Sequence, residues 1–213
     1  MSNLLSDLDL AALLCSRVCH DIVSPVGAIA NGLEMMDEDD DEEMRKLALE
    51  LVRRSARQAS AKLQFCRMAF GAAGGAGSVL DVGEAADIAR LLVGDEKVRL
   101  DWRAPRGHRD KNEVKLLLNL MLLGIAAVPR GGIVTIEAGD GLLSATAEGD
   151  GARLADKVRA VLDRAVPAAE FDARVVQVYY AMRLAEQAGF AIAAEARSGV
   201  VAFRASRRIA NSE

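Results

Sequence analysis

The sequence predicts an α plus α/β fold: an N-terminal antiparallel helical hairpin that dimerises as a four-helix bundle, followed by a C-terminal α/β sandwich. Apolar residues recur at helical spacing before residue 71, glycines are concentrated directly after it, and helical and strand-like patterns are mixed beyond. Hydrophobic residues make up 51% of the 213-residue chain and aromatic residues only 4%, which indicates an aliphatic core. A chain of this length can hold a small domain and a larger one.

The predicted hairpin depends on two apolar stripes. The first has the four-and-three spacing of a coiled-coil seam and consists of Ala11, Cys15, Val18, Ile22, Pro25, Ile29, Leu33 and Met36. The second is looser and consists of Met44, Leu47, Leu51, Ala59, Leu63, Cys66 and Phe70. The acidic run between them, Asp37–Glu43, suits a turn followed by a helix N-terminus, where the helix dipole favours anions. Because one hairpin leaves apolar surface uncovered, we expect two copies to pair.

The glycine-rich stretch divides the chain into a hairpin domain at 1–71, a linker at 72–79 and a second domain at 80–213. In the second domain, helices are predicted at Asp81–Leu92 (with Asp81 as N-cap), Lys111–Val128, Leu154–Ala165 and Asp172–Ala188. Strands are predicted at Lys97–Arg103, Ile133–Ala138, Leu142–Ala147, Phe190–Ala196 and Val200–Ser206. Helices mixed with antiparallel strands indicate a two-layer α/β sandwich.

Composition excludes several classes of protein. A formal net charge of -4 gives no general attraction to nucleic acid or to an anionic membrane. The chain has no run of 18 apolar residues and no cationic segment before an apolar one, so neither a membrane span nor a secretory signal is predicted. The three cysteines lack CxxC spacing and the two histidines lack zinc-ligand spacing, which argues against a disulfide framework and a metal site. We therefore expect a cytoplasmic protein.

The most informative motif lies in the first helix and centres on His20. This residue is two positions from Val18 and from Ile22, so at about 100° per residue it faces away from the apolar stripe. An exposed, neutral imidazole has a nitrogen that can attack phosphorus. Pro25 lacks a backbone N–H and its ring collides with the carbonyl of Asp21, which predicts a helix bend just beyond the histidine.

The segment Cys19–Ile29, CHDIVSPVGAI, resembles the H box of histidine kinases: a histidine, an acidic residue, two variable residues, Ser/Thr/Asn, a proline and an apolar run. A lone surface histidine is usually inert, but a proline inside a helical stripe costs about 3 kcal/mol, so the combination favours a functional site. The resemblance implies that His20 is the nucleophile and phosphate carrier, and that Asp21 orients its imidazole or favours its protonated phospho-form. Arg17 and Ser24, about one turn to either side, are candidates for contacting phosphoryl oxygens or a docking receiver domain.

The segment 81–208 resembles the ATP-binding domain of histidine kinases, but its nucleotide boxes differ. Where the kinase N box has a magnesium-chelating Asn and a basic residue, this chain has Leu123 and Ala126. The Asp-x-Gly-x-Gly box falls on Glu148–Ala152, EGDGA, which keeps an acid but neither pattern glycine. The last glycine box falls on Val175–Gln177, where the backbone cannot approach a phosphate closely. These changes predict that the chain does not bind ATP.

Over essentially its whole length the chain resembles the ChpT-type histidine phosphotransferases of alphaproteobacterial cell-cycle signalling. The resemblance rests on the H box, on Leu63–Gly71 at the end of the second helix, and on the degenerate second domain. It implies a homodimer that takes phosphate from the receiver domain of a CckA-like hybrid kinase and passes it to CtrA-like and CpdR-like response regulators. The receiver would supply the magnesium ion, so no cofactor and no metal ligand is expected in this chain.

Two alternatives stay open. One is an active ATP-dependent sensor kinase, which binding of an ATP analogue would reveal. The other is a scaffold that docks receiver domains without chemistry and would tolerate loss of His20. The resemblance favours a phosphotransferase that acts through phosphohistidine and has no autokinase activity.

Overall fold

The computed structural model describes residues 5–38, 41–71, 78–94, 97–167, 170–172 and 175–208. Two long helices come first, α1 (Asp7–Glu38) and α2 (Glu42–Ala69). The other helices are α3 (Val82–Val93), α4 (Lys111–Ala127), α5 (Asp156–Leu162) and α6 (Val176–Ala188). The strands are β1 (Val79–Asp81), β2 (Val98–Trp102), β3 (His108–Asp110), β4 (Gly132–Gly139), β5 (Leu142–Glu148), β6 (Phe190–Arg197) and β7 (Val200–Arg207). The predicted hairpin followed by an α/β domain is confirmed.

The acidic run does begin the second helix. The Asp41 carboxylate accepts a hydrogen bond from the backbone N–H of Glu43 at 3.0 Å, and Glu42 also lies in the first turn of α2. Residues 39–40 of the predicted turn lie outside the described residues. Residues 72–77 of the predicted linker also lie outside the described residues, whereas the last linker residue, Val79, begins β1.

The hairpin covers part of the predicted stripe of α1, where Pro25 is buried and Val18, Ile22, Ile29 and Met36 are half-buried. Pro25 and Gly32 are buried, and a Cβ added to Gly32 would lie only 2.7 Å from Cγ2 of Val52, so α1 and α2 approach closely there. Other members of the two stripes are exposed in the single chain: Ala11, Cys15 and Leu33 of the first, and Leu47 and Leu63 of the second. A single hairpin therefore leaves part of each stripe uncovered, because the apolar residues of each helix spread over a wider face than one neighbouring helix can cover.

The larger sheet has the strand order β2-β4-β5-β7-β6. The β4-β5, β5-β7 and β6-β7 pairs are antiparallel, in agreement with the general expectation of antiparallel strands, but β2 pairs with β4 in parallel. The expectation of antiparallel strands was therefore wrong for β2, because the chain crosses over through β3 and α4 before β4 begins. The short antiparallel pair of β1 with β3 was not predicted, since three residues give too little alternation to recognise a strand.

One face of this sheet is covered by helices and the other is polar. α4 lies across β4, β5 and β7, and α6 packs on β6. The helix-facing side chains are buried aliphatic or aromatic residues, among them Val134, Ile136, Leu143, Ala145, Val201 and Phe203. The opposite face carries charged and hydroxyl side chains, among them Arg99, Asp101, Thr135, Glu137 and Thr146. The alternation along each strand therefore produces the two-layer sandwich that was expected.

Two helices are shorter than predicted: α5 does not reach the bounds Leu154 and Ala165, and α6 begins after Asp172. Arg164 has φ of 56°, in the left-handed region that ends helices, and it follows α5 by two residues. The Asp172 carboxylate accepts a hydrogen bond from the Val175 N–H at 3.1 Å, just before α6. Residues 173–174 lie outside the described residues.

The end of the hairpin packs against the α/β domain. Phe65 and Met68 of α2 are buried in the core that includes α3 and α4. The Lys115 ammonium donates a hydrogen bond to the Gly71 carbonyl, and burial lowers the pKa of this lysine. At the beginning of α1, a carboxylate oxygen of Asp7 lies 3.8 Å from a guanidinium nitrogen of Arg183 in α6. The hairpin is therefore anchored at the end that adjoins the second domain.

Candidate functional site

His20 lies on the outer surface of α1, in the half of the helix nearer the α/β domain. Its side chain is 87% exposed, in agreement with the position opposite the buried stripe that the spacing predicted. The neighbouring turn is bounded by buried Pro25. The imidazole is therefore exposed to solvent, while the next turn of the same helix packs within the hairpin.

Asp21 and Arg17 form a polar chain that ends at the His20 ring. The imidazole Nδ1 lies 3.3 Å from Oδ1 of Asp21, and the other carboxylate oxygen lies 3.9 Å from Nε of Arg17. Arg17 is mostly covered, with 24% of its side chain exposed, against 41% for Asp21. When Nδ1 carries the proton and donates a hydrogen bond to Asp21, Nε2 keeps its lone pair and is the nucleophilic nitrogen.

Ser24 and Pro25 lie one turn further along α1. Ser24 is exposed and Pro25 is buried, so the serine is on the solvent side of the turn. The helix runs from Asp7 to Glu38 with the proline inside it. The bend at Pro25 and the phosphoryl contacts of Ser24 and Arg17 stay predictions.

Lys62 of α2 belongs to this site and was missed by the sequence analysis. Its Nζ lies 3.0 Å from the backbone carbonyl oxygen of Asp21, to which it donates a hydrogen bond. The signal was present in the sequence, because Pro25 has no N–H to donate to that carbonyl. The spacing of the apolar stripes could not show which lysine of the second helix would lie opposite it.

The cysteines near His20 are poorly suited to act as nucleophiles. A hydrogen bond with the exposed Cys15 raises the pKa of the Cys19 thiol, and burial raises that of Cys66. A raised pKa lowers the fraction of thiolate, which is the reactive form. The thiols of Cys19 and Cys66 are therefore less reactive than an ordinary exposed cysteine.

The positions of the kinase-like nucleotide boxes are filled by packed side chains. Leu123 is 4% exposed, Val175 is 4% exposed and Gln177 is 2% exposed. The Gln177 side-chain amide donates a hydrogen bond to Oδ1 of Asn119 at 2.6 Å, inside the domain. Ala126, which replaces the basic residue of the N box, is exposed. Within the described ranges, no group of three or more His, Cys, Asp and Glu side chains could hold a metal ion.

Comparison with known proteins gives consistent matches over most of the chain. Residues 82–199 match the family model of the histidine phosphotransferase C-terminal domain. The chain is 45% identical over 205 residues to the protein phosphotransferase ChpT of Brucella abortus (strain 2308), a match that covers 94% of this chain and 97% of that protein. A solved 1.7 Å structure of a bacterial phosphotransferase superposes with a TM-score of 0.85 and 42% identity, covering 95% of this chain and 98% of the other. The similarity therefore extends over the hairpin and the α/β domain alike.

Proposed function

This chain belongs to the histidine phosphotransferase family, and we propose that it carries a phosphoryl group on His20 between receiver domains of a phosphorelay. The observation that supports this role is the exposed imidazole with Nδ1 at 3.3 Å from Asp21, on the outer face of a helix. A receiver domain can approach such a face without rearranging the hairpin.

The transfer is a substitution at phosphorus. Nε2 of His20 attacks the phosphorus of the receiver's aspartyl phosphate, so that an N–P bond forms while the P–O bond to the aspartate breaks. The bonding electrons of that P–O bond go to the departing carboxylate. Magnesium bound to the receiver neutralises charge on the phosphoryl oxygens. The same step in reverse passes the group from His20 to the aspartate of a second receiver.

Asp21 and Arg17 have separate roles in this scheme. Phosphorylation at Nε2 makes the imidazole cationic while Nδ1 keeps its proton, and the Asp21 carboxylate stabilises that cation. The Arg17 guanidinium, 3.9 Å from Asp21, keeps the carboxylate beside the His20 imidazole. Ser24, exposed one turn beyond His20, is placed to donate its hydroxyl to a phosphoryl oxygen.

We propose that the chain has no nucleotide-binding site. A kinase-type domain binds phosphates through backbone N–H groups that glycine leaves accessible. In this chain Val175 and Gln177 are buried at those positions, and Leu123 is buried where the magnesium-chelating Asn would lie. These three positions support a phosphotransferase over an active sensor kinase, so the phosphoryl group has to come from a partner.

We further propose that the protein is a cytoplasmic homodimer formed through the hairpin. The exposed apolar residues Leu8, Cys15, Val26 and Leu33 are spaced by 7, 11 and 7 positions and so lie along one face of α1. By length and composition alone, Asp7–Asp37 would also suffice to cross a membrane, and little of it is buried. A second hairpin would cover this face in water, whereas Arg17 and Asp21 on the same helix disfavour a lipid surrounding.

The proposed partners follow from the family. The donor is the receiver domain of a CckA-like hybrid kinase, and the acceptors are CtrA-like and CpdR-like response regulators. The relatives' names identify them only as phosphotransferases, so these partners are proposed for this chain on the resemblance in its H box and degenerate second domain.

The deciding experiment is transfer from a radiolabelled phospho-receiver domain. We expect label on this protein that is lost in acid and kept in alkali, as a phosphoramidate is, and no label on His20→Gln. Because the His20 side chain is 87% exposed, the variant should keep the circular dichroism and melting temperature of the wild type. Equal labelling of His20→Gln would exclude this residue as the carrier. Tight receiver binding without any label on the wild type would establish the scaffold alternative.

A further inference from the structure

The proline of α1 leaves one backbone carbonyl without its helical partner. In an α-helix the N–H of residue i donates to the carbonyl of residue i−4, and proline has no N–H. Pro25 therefore cannot donate to the carbonyl of Asp21, the residue that contacts His20. An unsatisfied carbonyl in a partly covered position is destabilising and lets the helix open at that turn.

A lysine of α2 donates a hydrogen bond to this carbonyl in place of the missing N–H. Nζ of Lys62 lies 3.0 Å from the carbonyl oxygen of Asp21, in a half-buried position, although the two residues are 41 positions apart. A hydrogen bond from an ammonium is stronger than one from a neutral amide. It therefore replaces the missing N–H and at the same time fixes the distance between α1 and α2 beside His20.

We propose that Lys62 is a positioning residue for phosphoryl transfer, acting through the Asp21 carbonyl. This inference rests on the proposed function of His20. The peptide that Lys62 holds belongs to the residue whose carboxylate contacts Nδ1, so the backbone anchor and the ring contact restrain the same turn. A turn held in this way keeps the imidazole in one orientation for in-line attack. Pro25 and Lys62 thus form a pair, in which the lysine is needed because the proline is present.

The pairing predicts a specific non-additivity. In Pro25→Ala the new N–H of residue 25 can donate to the Asp21 carbonyl, and Lys62 is no longer required there. Removing the lysine should then matter in the wild-type background and not in the alanine background. A lysine that touched the phosphoryl group directly would matter in both.

The experiment measures single-turnover transfer from the labelled phospho-receiver to the full-length protein, at varied receiver concentration. We expect Lys62→Met to lower the maximal rate by about ten- to a hundredfold with the half-saturating receiver concentration unchanged, and Lys62→Arg to retain most of the rate. In the Pro25→Ala background the same Lys62→Met change should alter the rate by less than about twofold. Lys46→Met is the matched control, because Lys46 lies on α2 in an exposed pair with Glu42.

Urea unfolding of the wild type, Lys62→Met, Pro25→Ala and the double variant gives a second readout that does not depend on activity. Lys62→Met should lower the midpoint when residue 25 is proline and leave it unchanged when residue 25 is alanine. Equal losses of rate in both backgrounds would assign Lys62 to the phosphoryl group instead, and no loss in either would overturn the inference. Absence of label on the wild type would contradict the proposed function itself, which separates the two failures.

Discussion

The side-chain amide of Gln177 donates a 2.6 Å hydrogen bond to Oδ1 of Asn119, with both residues almost fully buried. Asn119 in turn donates to the carbonyl of Lys115 at 2.7 Å and lies 3.4 Å from the carbonyl of Ala69 at the end of α2. A position that would be glycine in a nucleotide-binding relative is thus part of a polar network. That network joins α6, α4 and the hairpin.

Asn119→Ala should destabilise the protein. The substitution leaves the buried Gln177 amide without its acceptor, which costs about 1–3 kcal/mol. The change is measured as a shift of the urea unfolding midpoint with an unaltered m-value. Asn31→Ala is the control, because Asn31 is exposed on α1 and its loss should stay within about 0.5 kcal/mol. Equal effects of the two substitutions would contradict a structural role for the network.

ATP with magnesium should not bind. At a hundredfold excess over a dissociation constant, a ligand stabilises the native state by about 2.7 kcal/mol, which a thermal melt detects easily. We expect no change in melting temperature at millimolar ATP and no transfer of its γ-phosphate to the protein. A clear rise in melting temperature would restore the sensor-kinase alternative.

Two glycines of α1 should respond in opposite ways to alanine. At Gly27 a Cβ would meet nothing within 4 Å, so Gly27→Ala should stabilise the helix by about 0.5–1 kcal/mol. At Gly32 a Cβ would lie 2.7 Å from the Val52 side chain and 3.2 Å from the Ala48 carbonyl oxygen. Gly32→Ala should therefore separate the helices and cost about 1–3 kcal/mol before that propensity gain. Thermal unfolding of the two variants checks the sign of each effect.

Val26→Glu should dissociate the proposed dimer without unfolding the hairpin. Val26 is 50% exposed in the single chain, so a carboxylate there is tolerated by the monomer but would be buried without a partner in a four-helix bundle. Light scattering at micromolar concentration should report a dimer for the wild type and a monomer for the variant. Asn31→Glu, an exposed change elsewhere on α1, should remain dimeric. A monomeric wild type would refute this assembly.

The sequence was sufficient for the elements whose signals are local. The spacing around His20 placed it on the outer face, and Asp81 does cap α3, accepting a hydrogen bond from the Glu84 N–H at 2.9 Å. The parallel pairing of β2 with β4 depends on the path of the chain between the two strands. The residue pattern within either strand does not show that path. Lys62 was missed for a similar reason. Its partner is a backbone atom on another helix, and only the register of the hairpin brings the two together.

The buried glutamine also makes a glycine at its position costly. Gln177→Gly would restore part of a phosphate-binding loop but would remove the hydrogen bond to Asn119 and leave a void beside α4. A change to glycine at this position therefore lowers stability before any bound nucleotide could compensate.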